Sequence, residues 1–134
     1  MNLIDLTSYN PFLTSLYPHG LANPLMIGNI NLEWGRRVYI DVHTKQKPAK
    51  EVKKWGVWGE DYDVVVIKLS CSRGDIVEIK NWHNVNYGTL KIDKGNDGFI
   101  LNFKSASCEI KLSCDIFIFK NCSTYIDGGD DPAL

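Results

Sequence analysis

The chain has 134 residues, of which 44% are hydrophobic and 23% charged, and this length and composition are typical of one globular domain. Fifteen basic and sixteen acidic side chains leave a net charge of -1, which excludes a global field that would hold a nucleic acid or an anionic membrane. No apolar run approaches the roughly 20 residues that span a bilayer, and the N-terminus lacks the features of an export signal. We expect a single all-β domain over residues 1–134, located in the cytoplasm.

A short helix is predicted over residues 9–18. Asn10 is a typical N-cap, Pro11 is a typical first helical residue, and Leu13 and Leu16 follow on one face.

A first hairpin is predicted around Gly35-Arg36, because period-two alternation precedes and follows this turn signal. The apolar residues before the turn lie at even spacing, which is expected to place them on one face: Met26, Ile30, Leu32 and Trp34. After the turn, Val38, Ile40 and Val42 are expected on the opposite face from Arg37, Tyr39 and Asp41.

The segment Lys45–Trp55 holds five lysines and Pro48, which is typical of a connection. Lysines in a loop could bind phosphates. We favour a solvated crossover, because the chain has no basic excess and no aromatic residues interleaved with these lysines.

The rest of the chain is predicted to be strands with short turns. Six stretches alternate at period two: Val64–Ser70, Ile76–Trp82, Thr89–Asp93, Phe99–Lys104, Ser107–Leu112 and Asp115–Lys120. The first is expected to be a central strand paired antiparallel with the second, the third and fourth to form a hairpin, and the last to be buried on both faces. The tail 127–134 is expected to be flexible. Together these patterns predict a mainly β fold, either an antiparallel β-sandwich or a partly open barrel of about eight strands with one short N-terminal helix.

Metal, cofactor and catalytic sites are not predicted. The four cysteines lie in or beside strands without a C-x-x-C spacing, and we expect free thiols that pack as small apolar residues. The turn Asp93–Gly98 fits a hairpin better than a calcium loop, because Lys104 stands where the closing acid should be. The three histidines lie far apart without an accompanying motif, and we expect them on the surface.

The most unusual local stretch is Trp55–Asp63, with two tryptophans, a tyrosine and three acids within nine residues. Large rings give desolvated contact area to a protein interface, and carboxylates steer a basic partner. The candidate partner-binding residues are Trp58, Glu60, Asp61, Tyr62 and Asp63. The alternative is that the tryptophans close one end of a sandwich and the acids are merely solvated beside them.

Several short strings resemble one known family. They are Asn10-Pro11-Phe12, Lys53-Lys54-Trp55 ahead of a Val-Ile-Leu strand, Ile79-Lys80-Asn81-Trp82, and a late Cys114 strand followed by Asn121-Cys-Ser-Thr-Tyr125. Over residues 10–125 the chain resembles the fiftieth family of bacterial polymorphic-toxin immunity proteins, which are small, mostly β and cytosolic. The glycine-rich turn Trp55–Gly59 and the shortened first hairpin depart from that family's pattern.

The resemblance implies a non-catalytic protein that binds and neutralises a cognate toxin domain in the cytoplasm, with neither nucleic acid nor membrane as a partner. The oligomeric state is left open. The alternative is a carbohydrate or small-ligand binding module, since β-sandwiches often present Trp and Tyr to sugar rings. A hydrolase with a triad assembled from distant strands is a third, weaker reading.

Overall fold

The computed structural model describes residues 2–8 and 10–127, and eight strands lie within them. They are β1 (Leu25–Glu33), β2 (Arg37–Thr44), β3 (Val64–Ser72), β4 (Asp75–Lys80), β5 (Thr89–Gly95), β6 (Gly98–Ser105), β7 (Cys108–Cys114) and β8 (Ile116–Tyr125). All strand pairs are antiparallel and form two four-stranded sheets, with the orders β1-β2-β3-β8 and β4-β7-β6-β5. Single turns of 3₁₀ helix lie at Lys53–Trp55 and Trp82–Asn84.

The core lies between the inner faces of the two sheets. Ile67 and Leu69 of β3 are fully buried and belong to one hydrophobic cluster with Leu101 and Leu112 of the second sheet. Two separate sheets joined by such a core form a β-sandwich, so the sandwich is confirmed and the barrel is not. The predicted central position of β3 is also confirmed, since β2 and β8 pair on either side of it.

The N-terminal segment forms two short helices, where one was predicted. In α2 (Pro11–Leu16), Asn10 is the N-cap and its side chain accepts a hydrogen bond from the Leu13 backbone N–H at 3.0 Å, as the sequence predicts. The additional helix α1 (Leu3–Leu6) is too short for a periodic signal. The helix predicted over residues 9–18 is therefore shorter at both ends. Residue 9 and the predicted flexible tail from residue 128 onward lie outside the described residues.

The predicted pairing of β3 with β4 is wrong. The chain crosses from one sheet to the other at the turn between them, and β4 pairs with β7 instead. At this turn Arg73 has a left-handed φ of 54°, and the backbone N–H of Gly74 donates to the carbonyl of Arg36 at 2.8 Å. The turn is thus tied to the β1-β2 hairpin, which directs β4 away from β3. By contrast, the predicted β5-β6 hairpin and the β1-β2 hairpin are confirmed.

Two predictions about strand faces are also wrong. β8 is not buried on both faces, because it is an edge strand whose Ile116 and Ile118 are 41% and 40% exposed. Met26 does not share a face with Ile30, because a bulge between Ile27 and Asn29 shifts the register of β1 by one residue. Such a shift sends the side chains before and after it to opposite faces.

A disulfide joins Cys71 at the end of β3 to Cys114 at the end of β7. This corrects the prediction of four free thiols, while Cys108 and Cys122 are free as expected. Sequence spacing could not predict the bond, because the two cysteines are 43 residues apart and lie in different sheets. Burial raises the pKa of the Cys122 thiol to about 12, so this free cysteine is unreactive at neutral pH.

Alkylation with iodoacetamide tests the disulfide. In denaturant without reductant we expect two modified cysteines per chain by mass spectrometry, and four after reduction. Closing a loop of this length in the unfolded chain corresponds to roughly 4 kcal/mol, so reduction should lower the free energy of unfolding by up to about that amount. Four modified cysteines without reductant would contradict the bond.

Candidate protein-binding site

The loop between residues 55 and 63 is fixed to the core by its aromatic rings. The Trp55 ring packs edge to face against Phe12 and Tyr62, with centroids 6.0 and 5.9 Å apart, and Trp58 packs edge to face on Tyr62 at 5.2 Å. Tyr62 is only 3% exposed and Trp55 only 9% exposed, whereas Trp58 is half-buried. These rings therefore close one end of the sandwich.

Two of the three predicted carboxylates bind the backbone around them. Asp61 Oδ2 accepts a hydrogen bond from the Val57 N–H at 2.7 Å, and Asp63 Oδ1 accepts one from the Asp127 N–H at 2.7 Å. The Asp61 side chain lies over Gly56, which has a φ of +85° and no room for a Cβ. Glu60 is exposed and makes no side-chain hydrogen bond or ion pair within the described residues.

The five predicted residues therefore divide by location. Trp58, Glu60 and Asp61 reach the surface of the loop, although Asp61 also holds the loop together. Tyr62 belongs to the core, and Asp63 joins the start of β3 to the end of β8. Tyr62 can contact a partner only after rearrangement of the core, whereas Asp63 is half-buried, like Trp58.

A cluster of polar and aromatic side chains covers the outward face of the first sheet near this loop. His43 Nδ1 lies 2.9 Å from the Tyr125 hydroxyl, and Lys45 Nζ lies 3.1 Å from an Asp127 carboxylate oxygen and 4.8 Å from the centroid of the Tyr87 ring. Burial lowers the pKa of His43, so its imidazole is neutral at pH 7. His43 is thus half-buried, unlike the surface histidine that was predicted, whereas His19 and His83 are exposed.

The rest of that outward face is open and has few charges. In β2, Val38, Ile40 and Val42 are buried, so the residues that alternate with them point outward. The residues of β1, β3 and β8 that pair across the sheet with these outward residues point outward as well. Five charged residues lie on this side of the sheet, namely Glu33, Arg37, Asp41, Lys68 and the exposed Lys120 at the bulge of β8. On the smaller outward face of the second sheet eight are charged: Asp75, Glu78, Lys80, Lys91, Asp93, Lys104, Glu109 and Lys111.

Trp34 lies at the tip of the β1-β2 hairpin and is 100% exposed. Trp34 was expected to share one face of the first strand with Met26, Ile30 and Leu32, and this prediction is wrong, because Trp34, Gly35 and Arg36 form the turn. The tip is held in place by Arg36, whose carbonyl accepts from the Gly74 N–H and whose guanidinium Nη2 lies 3.4 Å from the Arg73 carbonyl. Sequence reasoning missed this site, since alternation alone cannot tell the last strand residue from the first turn residue.

The described part of the chain lacks both a metal-binding group of side chains and a membrane-spanning helix. Residues 2–8 and 10–127 contain no group of three or more His, Cys, Asp or Glu side chains arranged to hold a metal ion. Across the same residues, no helix combines the length and apolarity that crossing a membrane requires.

One family model matches the chain. Its description is Immunity protein 50, and the match covers residues 26–125, about three quarters of the sequence. The matched part begins at the second residue of β1 and ends at the last residue of β8, so it contains essentially the whole sandwich. Neither a curated protein nor a solved structure matches significantly.

The contrast between Trp55 and Trp34 can be tested by their alanine variants. Trp55→Ala removes a buried ring and should lower the free energy of unfolding by about 3–5 kcal/mol. Trp34→Ala removes a ring in open solvent and should change the same quantity by less than about 0.5 kcal/mol. Urea denaturation followed by far-UV circular dichroism measures both, and equal losses would show that the two rings are wrongly placed.

Proposed function

Because the chain belongs to the Immunity protein 50 family, we propose that it binds and neutralises a cognate bacterial toxin domain in the cytoplasm of the cell that makes the toxin. The observation that carries this proposal is the family match over residues 26–125. Neutralisation in the proposed form needs no catalysis, because covering the active site or the substrate path of the toxin is enough. The chain would act as a stoichiometric inhibitor.

The fold suits an inhibitor of this kind. A stable interface needs roughly 800 Å² on each partner, and a rigid surface loses less conformational entropy on binding than a loose one. Here the two sheets share one core, and the disulfide from β3 to β7 links them covalently. The surface offered to a partner is therefore largely formed before binding.

Of the five predicted binding residues, three are proposed to meet the toxin and two to support the loop. Trp58, Glu60 and Asp61 would contact or approach the toxin, while Tyr62 supports Trp58 from the core and Asp63 anchors the loop. Exposed carboxylates at the rim of an interface act mainly on the association rate, because they attract a basic partner before contact. The part of the toxin that meets this loop is therefore proposed to be basic, as in enzymes that bind nucleic acids.

The cytoplasmic location rests on the role of the family. The disulfide between Cys71 and Cys114 is a feature more common in oxidising compartments. A reduced Cys71 and Cys114 pair inside the producing cell would therefore agree with the proposed cytoplasmic location, whereas an oxidised pair would count against it.

Binding to the catalytically inactivated toxin domain encoded beside this gene tests the proposal. We expect a one-to-one complex by surface plasmon resonance, and growth rescue when this chain is co-expressed with the active toxin. The double variant Glu60→Lys with Asp61→Asn removes the charges yet keeps an acceptor oxygen for the Val57 N–H. It should lower the association rate about tenfold at low salt and less at high salt.

A matched control changes the charge by the same amount elsewhere. Asp93→Lys with Glu78→Gln alters two exposed outward residues of the second sheet and should leave the association rate within about twofold. Equal loss in both variants would show that only net charge matters. The absence of any complex with the wild-type chain would contradict the proposed function itself.

A further inference from the structure

The open part of the outward face of the first sheet has a side-chain pattern that differs from the rest of the surface. Register places Tyr39, Ser70 and Ile118 side by side across β2, β3 and β8, and the next row toward the hairpin tip is Arg37, Ser72 and Ile116. In each row a small serine lies between two larger side chains. Ser70 is only 4% exposed, so the larger side chains cover it, and the accessible surface of these rows comes from β2 and from the isoleucines of β8.

We propose that this open face, together with Trp34 beside it, is the surface on which the body of the cognate toxin domain docks. The inference rests on the proposed function and names the part of the molecule that performs it. Arg, Tyr, Trp and Ile on the surface, with few Lys and Glu, form the composition that distinguishes the centres of protein interfaces. The charge-rich outward face of the second sheet has the composition of solvated surface.

Exposed apolar side chains at this end of the sheet support the proposal. Ile116 and Ile118 are 41% and 40% exposed on the same face, and Trp34 has no covering at all. Leaving an indole and two isoleucine side chains in water forgoes the free energy of their burial, roughly 25 cal/mol for each Å². A partner that covers them recovers that free energy.

The hairpin tip presents Trp34 in a defined position. Arg36 and Arg73 both have left-handed backbone, with φ of 63° and 54°, a conformation that is unfavourable for residues other than glycine. The hydrogen bond from the Gly74 N–H to the Arg36 carbonyl joins the two turns and maintains this geometry. The backbone of such a tip therefore loses little freedom when the Trp34 ring enters a pocket of the partner.

The open part of the face and the hairpin tip together provide most of one side of a standard complex. Four strands about 4.8 Å apart, over the roughly five residues from Arg37 to Asp41 at about 3.4 Å each, give this open part roughly 300 Å². An exposed tryptophan adds up to about 250 Å². The sum is roughly 70% of the ~800 Å² that one partner contributes to a stable interface, and the loop with Trp58, Glu60 and Asp61 would supply the rest.

The backbone of β8 favours docking on the face over extension of the sheet by a second copy. β8 is an edge strand, and an open edge invites another strand to pair with it. The N-terminal segment already occupies this edge at Phe117, where Thr7 forms a bridge and the Ser8 N–H donates to the Phe117 carbonyl at 3.0 Å. A second strand could therefore not pair with this end of β8 without displacing that segment.

The test measures binding of the inactivated toxin domain to the variants Trp34→Ala, Ile118→Arg and their combination. Single variants should weaken binding roughly 30-fold and the combination at least about 100-fold, mainly through faster dissociation. The controls repeat the same changes on other surfaces: Trp82→Ala, for a ring that is 39% exposed, and Ile100→Arg, for a half-buried isoleucine on the outward face of the second sheet. Both controls should stay within about threefold of wild type.

The outcomes separate this inference from the proposed function. If wild type binds the toxin domain and the combined variant binds equally well, or if the controls lose as much affinity, the docking surface is wrong while the function stands. If wild type does not bind, the proposed function fails. Sedimentation velocity decides the remaining case, because a self-associating wild type that becomes monomeric in the combined variant, with toxin binding unchanged, would assign this face to a second copy.

Discussion

The inward packing of β3 is the constraint on which the rest of the structure depends. Its residues Val65, Ile67 and Leu69 are fully buried between the sheets, and this fixes which residues of the neighbouring strands point outward. A slip of one residue would send every one of these side chains to solvent. The small serines of the open face, and the isoleucines beside them, are outward-facing only because this register is held by the core.

Scaffold and proposed binding surface are separate parts of this molecule. The core, the disulfide and the aromatic rings at Trp55 and Tyr62 stabilise the fold, and none of them needs to contact a partner. The exposed groups proposed for recognition are the carboxylates of the 56–61 loop at one end of the first sheet and the tryptophan tip at the other. In the proposed complex the loop would act on the association rate, whereas the face and the tip would act on the lifetime of the complex.

Local pattern was sufficient to predict most of the strands, the α2 cap and both hairpins, because alternation and turn chemistry are encoded within a few residues. Features that depend on distant residues were missed. The pairing of β4 with β7 and the bond between Cys71 and Cys114 join segments whose proximity only the folded topology determines. The bulge in β1 was missed because an extra residue leaves no clear mark in a short apolar pattern.

The candidate site was predictable only in part, because its geometry also depends on residues that are distant in sequence. Composition identified the stretch from Trp55 to Asp63, but loops have no periodicity, and nothing local showed that Tyr62 is buried while Glu60 is exposed. Trp34 was expected within the first strand, and its place at a turn follows from the β1-β2 register. The open face required the order of four strands, which no single segment contains.

Hydrogen exchange of the chain, alone and in complex with the inactivated toxin domain, tests most directly whether the toxin domain docks on Trp34 and the outward face of the first sheet. We expect slower exchange on binding in peptides that cover the hairpin tip from Glu33 to Ile40 and the start of β8 from Ile116 to Lys120. The exchange rates of the second sheet should not change. Protection confined to β4, β5, β6 and β7, with the tip and β8 unaffected, would contradict it.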